Sequence, residues 1–345
     1  MTYKVLNTIH RPDLDFGETT HLKEMDAFLE RGMWVQEDEL IEVASDADAV
    51  LCNGVFQPWT PRVIKALNKC RILASPSIGF NTINVETANK CNIVVTNTPD
   101  FCIHEVSNQA IALMMALNRR LMQLDRAVRE RGAFLTPFDR EDVANYAEPI
   151  FRLQDQTLGI IGFGRIGSAV GLKAKGLGMR VIAYDPYVFD TVIGTHGAEP
   201  VDLDTLYRES DYISINALLN DETRGMVDGN AIKKMKSTCF LINTARGQIV
   251  DQAALVLSLK EGRIAGAGLD ATSQEPIPEN DPLLDCPNVI LTGHSGWYSV
   301  TADSGPEYWH KATGQIVSAL KGEWPIYAVN SEIKAAWLKK WGVRH

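Results

Sequence analysis

Short runs of apolar and β-branched residues recur along the chain, separated by longer amphipathic stretches. In the first hundred residues they read YKVLN, DAVLC, RILAS and NIVVTN; later come LGIIG, RVIAYD, YISIN, CFLIN, AGAGLD and NVILT. Unbroken apolar runs of that length suit strands buried on both faces, and their alternation with helical stretches predicts parallel sheets built from βαβ units. There are two such series, hence two α/β domains. Between them Val106 to Arg131 reads as one long helix, followed by an irregular polar stretch, FLTPFDREDVANYAEPIFRLQDQ. The first boundary is set just before that helix, near Pro99. The amphipathic segment GPEYWHKATGQIVSALKGEW, which begins at Gly305, is expected to return to the first domain. The expected domains are therefore residues 1–100 with 306–345, and 101–305. No tandem repeat or low-complexity tract appears.

Composition narrows the partners. At 345 residues, 45% hydrophobic and 22% charged, the chain is an ordinary globular one with room for two cores. A net charge of -9 with no Lys/Arg run argues against nucleic acid, so a small-molecule ligand is expected. The six cysteines, Cys52, Cys70, Cys91, Cys102, Cys239 and Cys286, form no C-x-x-C pair, and no histidine cluster has metal-ligand spacing. Reduced thiols, no metal and a cytoplasmic location follow as expectations. No apolar stretch approaches the roughly 20 residues of a membrane span, and MTYKVLN begins directly as a strand-like run, so neither membrane nor export is expected.

The run LGIIGFGRIGSAVGLKAKGLGMRVIAYDPY has Gly162, Gly164 and Gly167 directly after a strand and at a helix start, with Asp185 closing the next strand 18 residues past the third glycine. The first glycine permits a tight turn, the second lets a pyrophosphate approach the backbone, and the third lets helix pack close to strand. Free amides at the helix start then hold the phosphates. Asp185 suits the ribose hydroxyls of NAD and would repel the 2′-phosphate of NADP. An internal fingerprint preceded by a separate α/β region favours nicotinamide over flavin, and such a protein needs a group that moves a proton while the cofactor moves a hydride.

Three strand ends of the second series offer that group. Arg246 follows CFLIN, Asp270 and Glu275 follow AGAGL, and His294 follows NVILT in the stretch LTGHSGWYS. A lone histidine in a Gly/Ser-rich turn is often only a turn residue, Glu275 before Pro276 reads equally as a solvated loop acid, and Arg246 as a surface cation. Together at the ligand-binding edge of a parallel sheet they make a proton-transfer set: a carboxylate fixes the imidazole tautomer, and a guanidinium supplies a planar fork for a carboxylate or carbonyl.

The order GFGRIG, ETRG, INTARG, GLD with EP a few residues on, then T-x-H, resembles the D-isomer-specific 2-hydroxyacid dehydrogenase family over most of the chain. HSGWYS resembles the subgroup that includes the C-terminal binding proteins, NAD(H)-responsive corepressors. The resemblance implies a Rossmann nucleotide-binding domain and a flavodoxin-like substrate domain with the active site in the cleft between them. It also implies a homodimer formed through the nucleotide domain. By the same resemblance His294 is the acid/base, Glu275 orients it and Arg246 binds substrate. Cofactor contacts are implied for Gly162, Phe163, Gly164, Arg165, Ile166, Gly167, Asp185, Ala217, Thr223, Thr244, Ala245, Arg246, Asp270 and His294. The amides of Ser77, Ile78 and Gly79, in SPSIGFNTIN, would hold the substrate carboxylate.

Several positions depart from the family pattern. Ser77 stands where glycine is usual, Asn81 and Asn84 where aspartates are, Asn108 where an acid is, and Gly293 where proline precedes the histidine; Asn216 and Leu218 replace a His-x-Pro pattern. These changes bear on which 2-hydroxy acid is used. Glu275 in place of glutamine disfavours formate. Trp59 and Trp297 either line the substrate pocket or are core or interface aromatics. The competing reading is an NADH-sensing corepressor-like binding module with little turnover.

Overall fold

The structure, a computed structural model, describes residues 2–10, 18–23, 25–132, 141, 149–299 and 306–343. Most of the stretch read as irregular, 134–156, lies outside the described residues, Glu141 and 149–156 excepted. The chain divides into two compact units, Met1–Cys102 with Ser299–His345, and Ile103–Tyr298.

Unit 1 is built on a five-stranded sheet of β1 (Tyr3–Asn7), β2 (Ala27–Arg31), β3 (Ala49–Leu51), β4 (Ile72–Ala74) and β5 (Val94–Thr96). Every pair is parallel and the order is β2-β1-β3-β4-β5, the flavodoxin-like order, with its switch point between β1 and β3. Because successive residues of a strand face opposite ways, Leu6, Val50, Leu73 and Val95 pack against Leu40, Val63 and Ile64 on one face. Val5, Leu51, Ile72 and Val94 pack against Ala312, Ile316, Ala319 and Trp337 on the other. The segment after Pro306 thus forms a helix, Pro306–Leu320, that covers one face of this sheet. A cation fastens the last helix, Lys334–Trp341: the Arg71 guanidinium lies 4.9 Å from the Tyr3 ring centre and 4.8 Å from that of Trp341, while Trp337 Nε1 donates to the Arg71 carbonyl at 2.9 Å. Trp59 is fully buried in the first of these cores, so it packs the interior.

Unit 2 carries β6 (Thr157–Ile161), β7 (Arg180–Tyr184), β8 (Glu199–Pro200), β9 (Tyr212–Ile215), β10 (Phe240–Asn243), β11 (Gly266–Leu269) and β12 (Val289–Leu291). The order β12-β11-β10-β9-β6-β7-β8 is parallel throughout, with the reversal at β9/β6 that marks a dinucleotide-binding sheet. Hydrophobic layers cover both faces: Ile161, Ile213 and Leu241 point to one, Ile160, Tyr212 and Ile242 to the other.

The single long helix expected over Val106 to Arg131 is two helices, Ile103–Asn118 and Leu121–Arg131, broken at Arg120, which takes a left-handed backbone with φ 50°. The buried Asn118 explains the break. Its amide donates to the Phe151 carbonyl at 3.2 Å, and its oxygen accepts from the Phe151 amide at 3.1 Å and the Tyr212 hydroxyl at 2.9 Å, which pins the first helix at its end. Among the described residues no helix is long and apolar enough to cross a membrane.

Ile316, on the returning helix, is fully buried in the core that this helix forms with the first sheet. Replacing it with alanine should cost about 2–5 kcal/mol, the usual range for emptying such a site. Six of the seven tryptophans belong to unit 1, so denaturant unfolding followed by tryptophan fluorescence should show its transition at lower denaturant. An unshifted midpoint would mean that the helix adds nothing to the core.

Candidate active site

At the end of β6 the three glycines take the roles their spacing assigns. Gly162 has φ 87°, and a Cβ there would lie 2.6 Å from the Ala217 nitrogen just past β9; a Cβ on Gly167 would lie 2.1 Å from the Gly162 carbonyl oxygen. A Cβ on Gly164 meets nothing within 4 Å, so this glycine leaves room over the turn for a phosphate group. Phe163 is buried, while Arg165 and Ile166 open the helix Arg165–Gly176. The Asp185 carboxylate is fixed against the turn: one oxygen accepts from the Phe163 amide at 2.7 Å, the other from the Tyr187 amide at 2.9 Å. Beside it opens a cavity of about 530 Å³ lined in part by Tyr184, Asp185, Pro186, Phe189 and Val201. At the ends of β9 and β10, Asn216 Oδ1 and Thr244 Oγ1 are buried polar atoms without a partner among the described residues. Buried groups of this kind ordinarily find partners, and the polar atoms of a dinucleotide would supply them, so the residues fit that cofactor. Thr223 closes its own turn, its hydroxyl donating to the Leu218 carbonyl at 2.6 Å.

The proton-transfer candidates come together at the ends of β10, β11 and β12. Asn243 shapes the turn after β10, donating to the Arg246 carbonyl at 2.9 Å and accepting from the Ala245 amide at 3.0 Å. Arg246 donates to the Ala245 carbonyl at 2.8 Å. Next to it, Gln248 Nε2 donates to the Ser273 carbonyl at 2.8 Å and so ties this turn to the loop that carries Glu275.

Asp270 organises the turn after β12. Its side chain accepts from the Thr292 hydroxyl at 2.6 Å and from the amides of Ser295 and Gly296, both at 3.0 Å, and its carbonyl accepts from the His294 amide at 2.6 Å. Gly293 and His294 both have positive φ, 59° and 57°. So held, His294 Nδ1 meets Glu275 Oε2 at 2.6 Å. The other Glu275 oxygen accepts from the Thr272 amide at 3.1 Å. Burial pushes the Glu275 carboxyl up, but the His294 hydrogen bond and charge, the Thr272 amide and the Arg246 charge together outweigh it and hold it below its ordinary 4.5. A carboxylate at Nδ1 fixes the proton on that nitrogen in the neutral ring, which makes Nε2 the basic one.

In unit 1 the loop after β4 contains Ser77, Ile78 and Gly79. The Ser77 carbonyl accepts from the Thr98 amide at 3.0 Å, that of Ile78 from Asn97 Nδ2 at 2.8 Å, and that of Gly79 from the Ser77 hydroxyl at 2.8 Å. Among the described residues nothing accepts from the amides of Ile78 and Gly79. Trp297 is half-buried, with the Tyr298 ring edge-on at 5.7 Å. Sequence reasoning missed Asn97, Asn243 and Thr292, whose side chains shape these turns; the one available signal was a small polar residue beside each candidate.

Residues 111–296 match the model of the D-isomer specific 2-hydroxyacid dehydrogenase family, NAD binding domain. A glyoxylate reductase of Korarchaeum cryptofilum is 37% identical over 317 residues, 90% of this chain and 93% of that protein. One of Thermofilum pendens is 35% identical over 303 residues, 86% of this chain and 85% of that protein. A D-lactate dehydrogenase of Aquifex aeolicus, solved with NAD and lactic acid, superposes with a TM-score of 0.78 at 26% identity, covering 92% of this chain and 94% of that one. The chain belongs to the D-isomer specific 2-hydroxyacid dehydrogenase family, and the glycine turn, Arg246, Glu275 and His294 all fall within the residues its NAD-binding model spans.

The Glu275 pairing has a definite acid limit. A carboxyl depressed in the folded state contributes stability above its unfolded value, and that contribution is lost as pH falls through the folded one. Carboxyl-carbon NMR of the wild type should therefore show Glu275 titrating below 4.5. In His294→Ala, where burial acts with less opposition, its midpoint should rise. An unchanged midpoint would mean that the imidazole does not stabilise the carboxylate.

Proposed function

We propose that the protein interconverts a small 2-oxo acid and its D-2-hydroxy acid with NAD(H), using His294 as the acid/base. The observation that carries this reading is the 2.6 Å His294–Glu275 contact, with Arg246 near enough for its charge to act on Glu275. The bound cofactor supplies or accepts the hydride at the substrate's second carbon. In reduction, imidazolium His294 gives its proton to the oxygen that becomes the hydroxyl; in oxidation, neutral His294 takes it back. Glu275 keeps the ring in one tautomer. Arg246 binds the substrate, its planar guanidinium suited to carboxylate or carbonyl oxygen, and the amides of Ser77, Ile78 and Gly79 hold the carboxylate. Trp297 borders the substrate.

Asp185 sets the cofactor preference. Its carboxylate accepts the ribose hydroxyls and repels a 2′-phosphate, so NAD is used over NADP. Phe163, Arg165, Ile166, Ala217, Thr223, Thr244, Ala245 and Asp270 complete the cofactor contacts. The three charged side chains assembled at one sheet edge favour this enzyme over a corepressor-like module that only senses NADH. The helix Leu121–Arg131 exposes Leu121, Met122 and Val128, which supports a homodimer formed through this unit.

A panel of 2-oxo acids followed by NADH absorbance identifies the substrate. With the best of them, His294→Ala should lose roughly a hundred- to ten-thousand-fold in kcat while still binding NADH. In the wild type, reduction and oxidation should depend on pH in opposite senses through one ionisation. An alanine variant that turns over at the wild-type rate would make His294 a turn residue.

The second test is cofactor titration. The wild type should bind NADH well ahead of NADPH, and Asp185→Ala should narrow that gap. Equal affinities in the wild type would remove Asp185 from the cofactor's ribose.

A further inference from the structure

Two loops flank the glycine turn. The sheet order β9-β6-β7 sets the end of β6 between those of β7 and β9, and the turn leans on both sides. Its Phe163 amide donates to Asp185 after β7, and a Cβ on Gly162 would meet the backbone of Ala217 after β9. With neighbouring strands about 4.7–4.9 Å apart, the two flanking strand ends stand about 10 Å from each other. A pair of side chains spans that gap: the Tyr187 hydroxyl donates to Glu222 Oε2.

The two partners are held differently. Glu222 stands on a closed turn, in which the amides of Glu222 and Thr223 donate to Asn220 Oδ1 at 3.0 and 2.9 Å and the Asn220 amide donates to the Thr223 hydroxyl at 2.9 Å. Tyr187 is tied through its backbone, its amide donating to Asp185 Oδ1 at 2.9 Å, but the residue is 73% exposed. Once the hydroxyl lets go, the ring is therefore able to swing about its side-chain bonds, a motion that is fast for exposed residues. The hydrogen bond and charge of Glu222 push the Tyr187 phenol above its ordinary 10.0, so the hydroxyl remains a donor at neutral pH. Pro186 and Val188, on either side of Tyr187 in the chain, line the cavity of about 530 Å³ beside Asp185. One arm is fixed, and the other is hinged at the edge of that cavity.

A dinucleotide with its pyrophosphate over Gly164 and its ribose on Asp185 runs from the middle of the sheet toward β7, past the gap that the two side chains bridge. We propose that Tyr187 and Glu222 form a strap across the adenosine end of the cofactor site, which parts for NAD(H) to enter or leave and closes again behind it. The proposal rests on the reading of this turn as an NAD(H) site. A strap that closes equally well over the full and the empty site slows both crossings by the same factor. It governs how fast the cofactor exchanges and leaves its affinity alone.

Stopped-flow fluorescence of NADH mixed with the protein reads association, and displacement of bound NADH by excess NAD reads dissociation. The comparison covers wild type, Tyr187→Phe, Glu222→Ala, the double variant and Glu222→Gln. An exposed hydrogen bond to a carboxylate shifts an equilibrium roughly two- to fivefold. Both rate constants should rise by about that factor in Tyr187→Phe and in Glu222→Ala, while the NADH Kd stays within twofold. The double variant should match the single ones, because either change removes the same bond. Glu222→Gln, which keeps an acceptor without the charge, should fall between them and the wild type. Circular dichroism checks folding. Unchanged rates in the folded variants would overturn this proposal alone, as would faster dissociation with a weaker Kd and unchanged association, which would make the pair a direct cofactor contact. A wild type that binds no NADH would overturn the functional reading with it.

Discussion

The turn that carries His294 depends on one buried carboxylate. Asp270, 3% exposed, would be costly to bury as a bare charge, and three donors from residues 292–296 satisfy it while its carbonyl takes the His294 amide. Those bonds also hold two consecutive residues at positive φ, a conformation that disfavours a histidine. The position before the histidine follows from the same constraint. Proline is locked near a φ of about −65°, so it has no place at 293 in this turn, and glycine does. One of the sequence departures from the family pattern thus has a direct geometric counterpart.

Both units place their polar chemistry past the carboxyl ends of parallel strands, where backbone groups have run out of neighbouring strands to pair with. Unit 2 settles this with glycines that let one turn lie on the next, and with Asp185 and Asp270 accepting otherwise loose amides. Unit 1 has no carboxylate in the loop after β4 and uses hydroxyls and an amide side chain for the same purpose. An acid there would repel a carboxylate ligand, whereas serine and asparagine order the loop at no net charge.

The strands were legible wherever both faces are buried, because apolar runs such as YISIN and CFLIN have few other uses. β2 was not, since AFLER is a half-exposed edge strand whose Phe28 faces solvent, and the two residues of β8 carry no pattern at all. The helix break at Arg120 was invisible because apolar spacing continues through it; a tertiary anchor on Asn118 decides it. In the candidate site, His294, Glu275 and Arg246 could be picked out from charge and position at strand ends. Asp270 as the holder of the His294 turn could not, nor could Asn97, because their partners lie far off in sequence. Trp59 shows the limit of residue type: a large aromatic suits a pocket and a core equally, and only burial separates them.

The covering of the first sheet by residues 306–341 bears on how the protein is made. As the chain leaves the ribosome, β1 to β5 emerge with one apolar face bare, and the helix that shields it follows some 200 residues later. At about 5–20 residues per second that is an interval of roughly 10–40 s. The second unit, continuous from Ile103 to Tyr298, is complete before the first can close. The early strands are therefore the part of a nascent chain that calls for a chaperone, and a truncated transcript would leave them permanently uncovered.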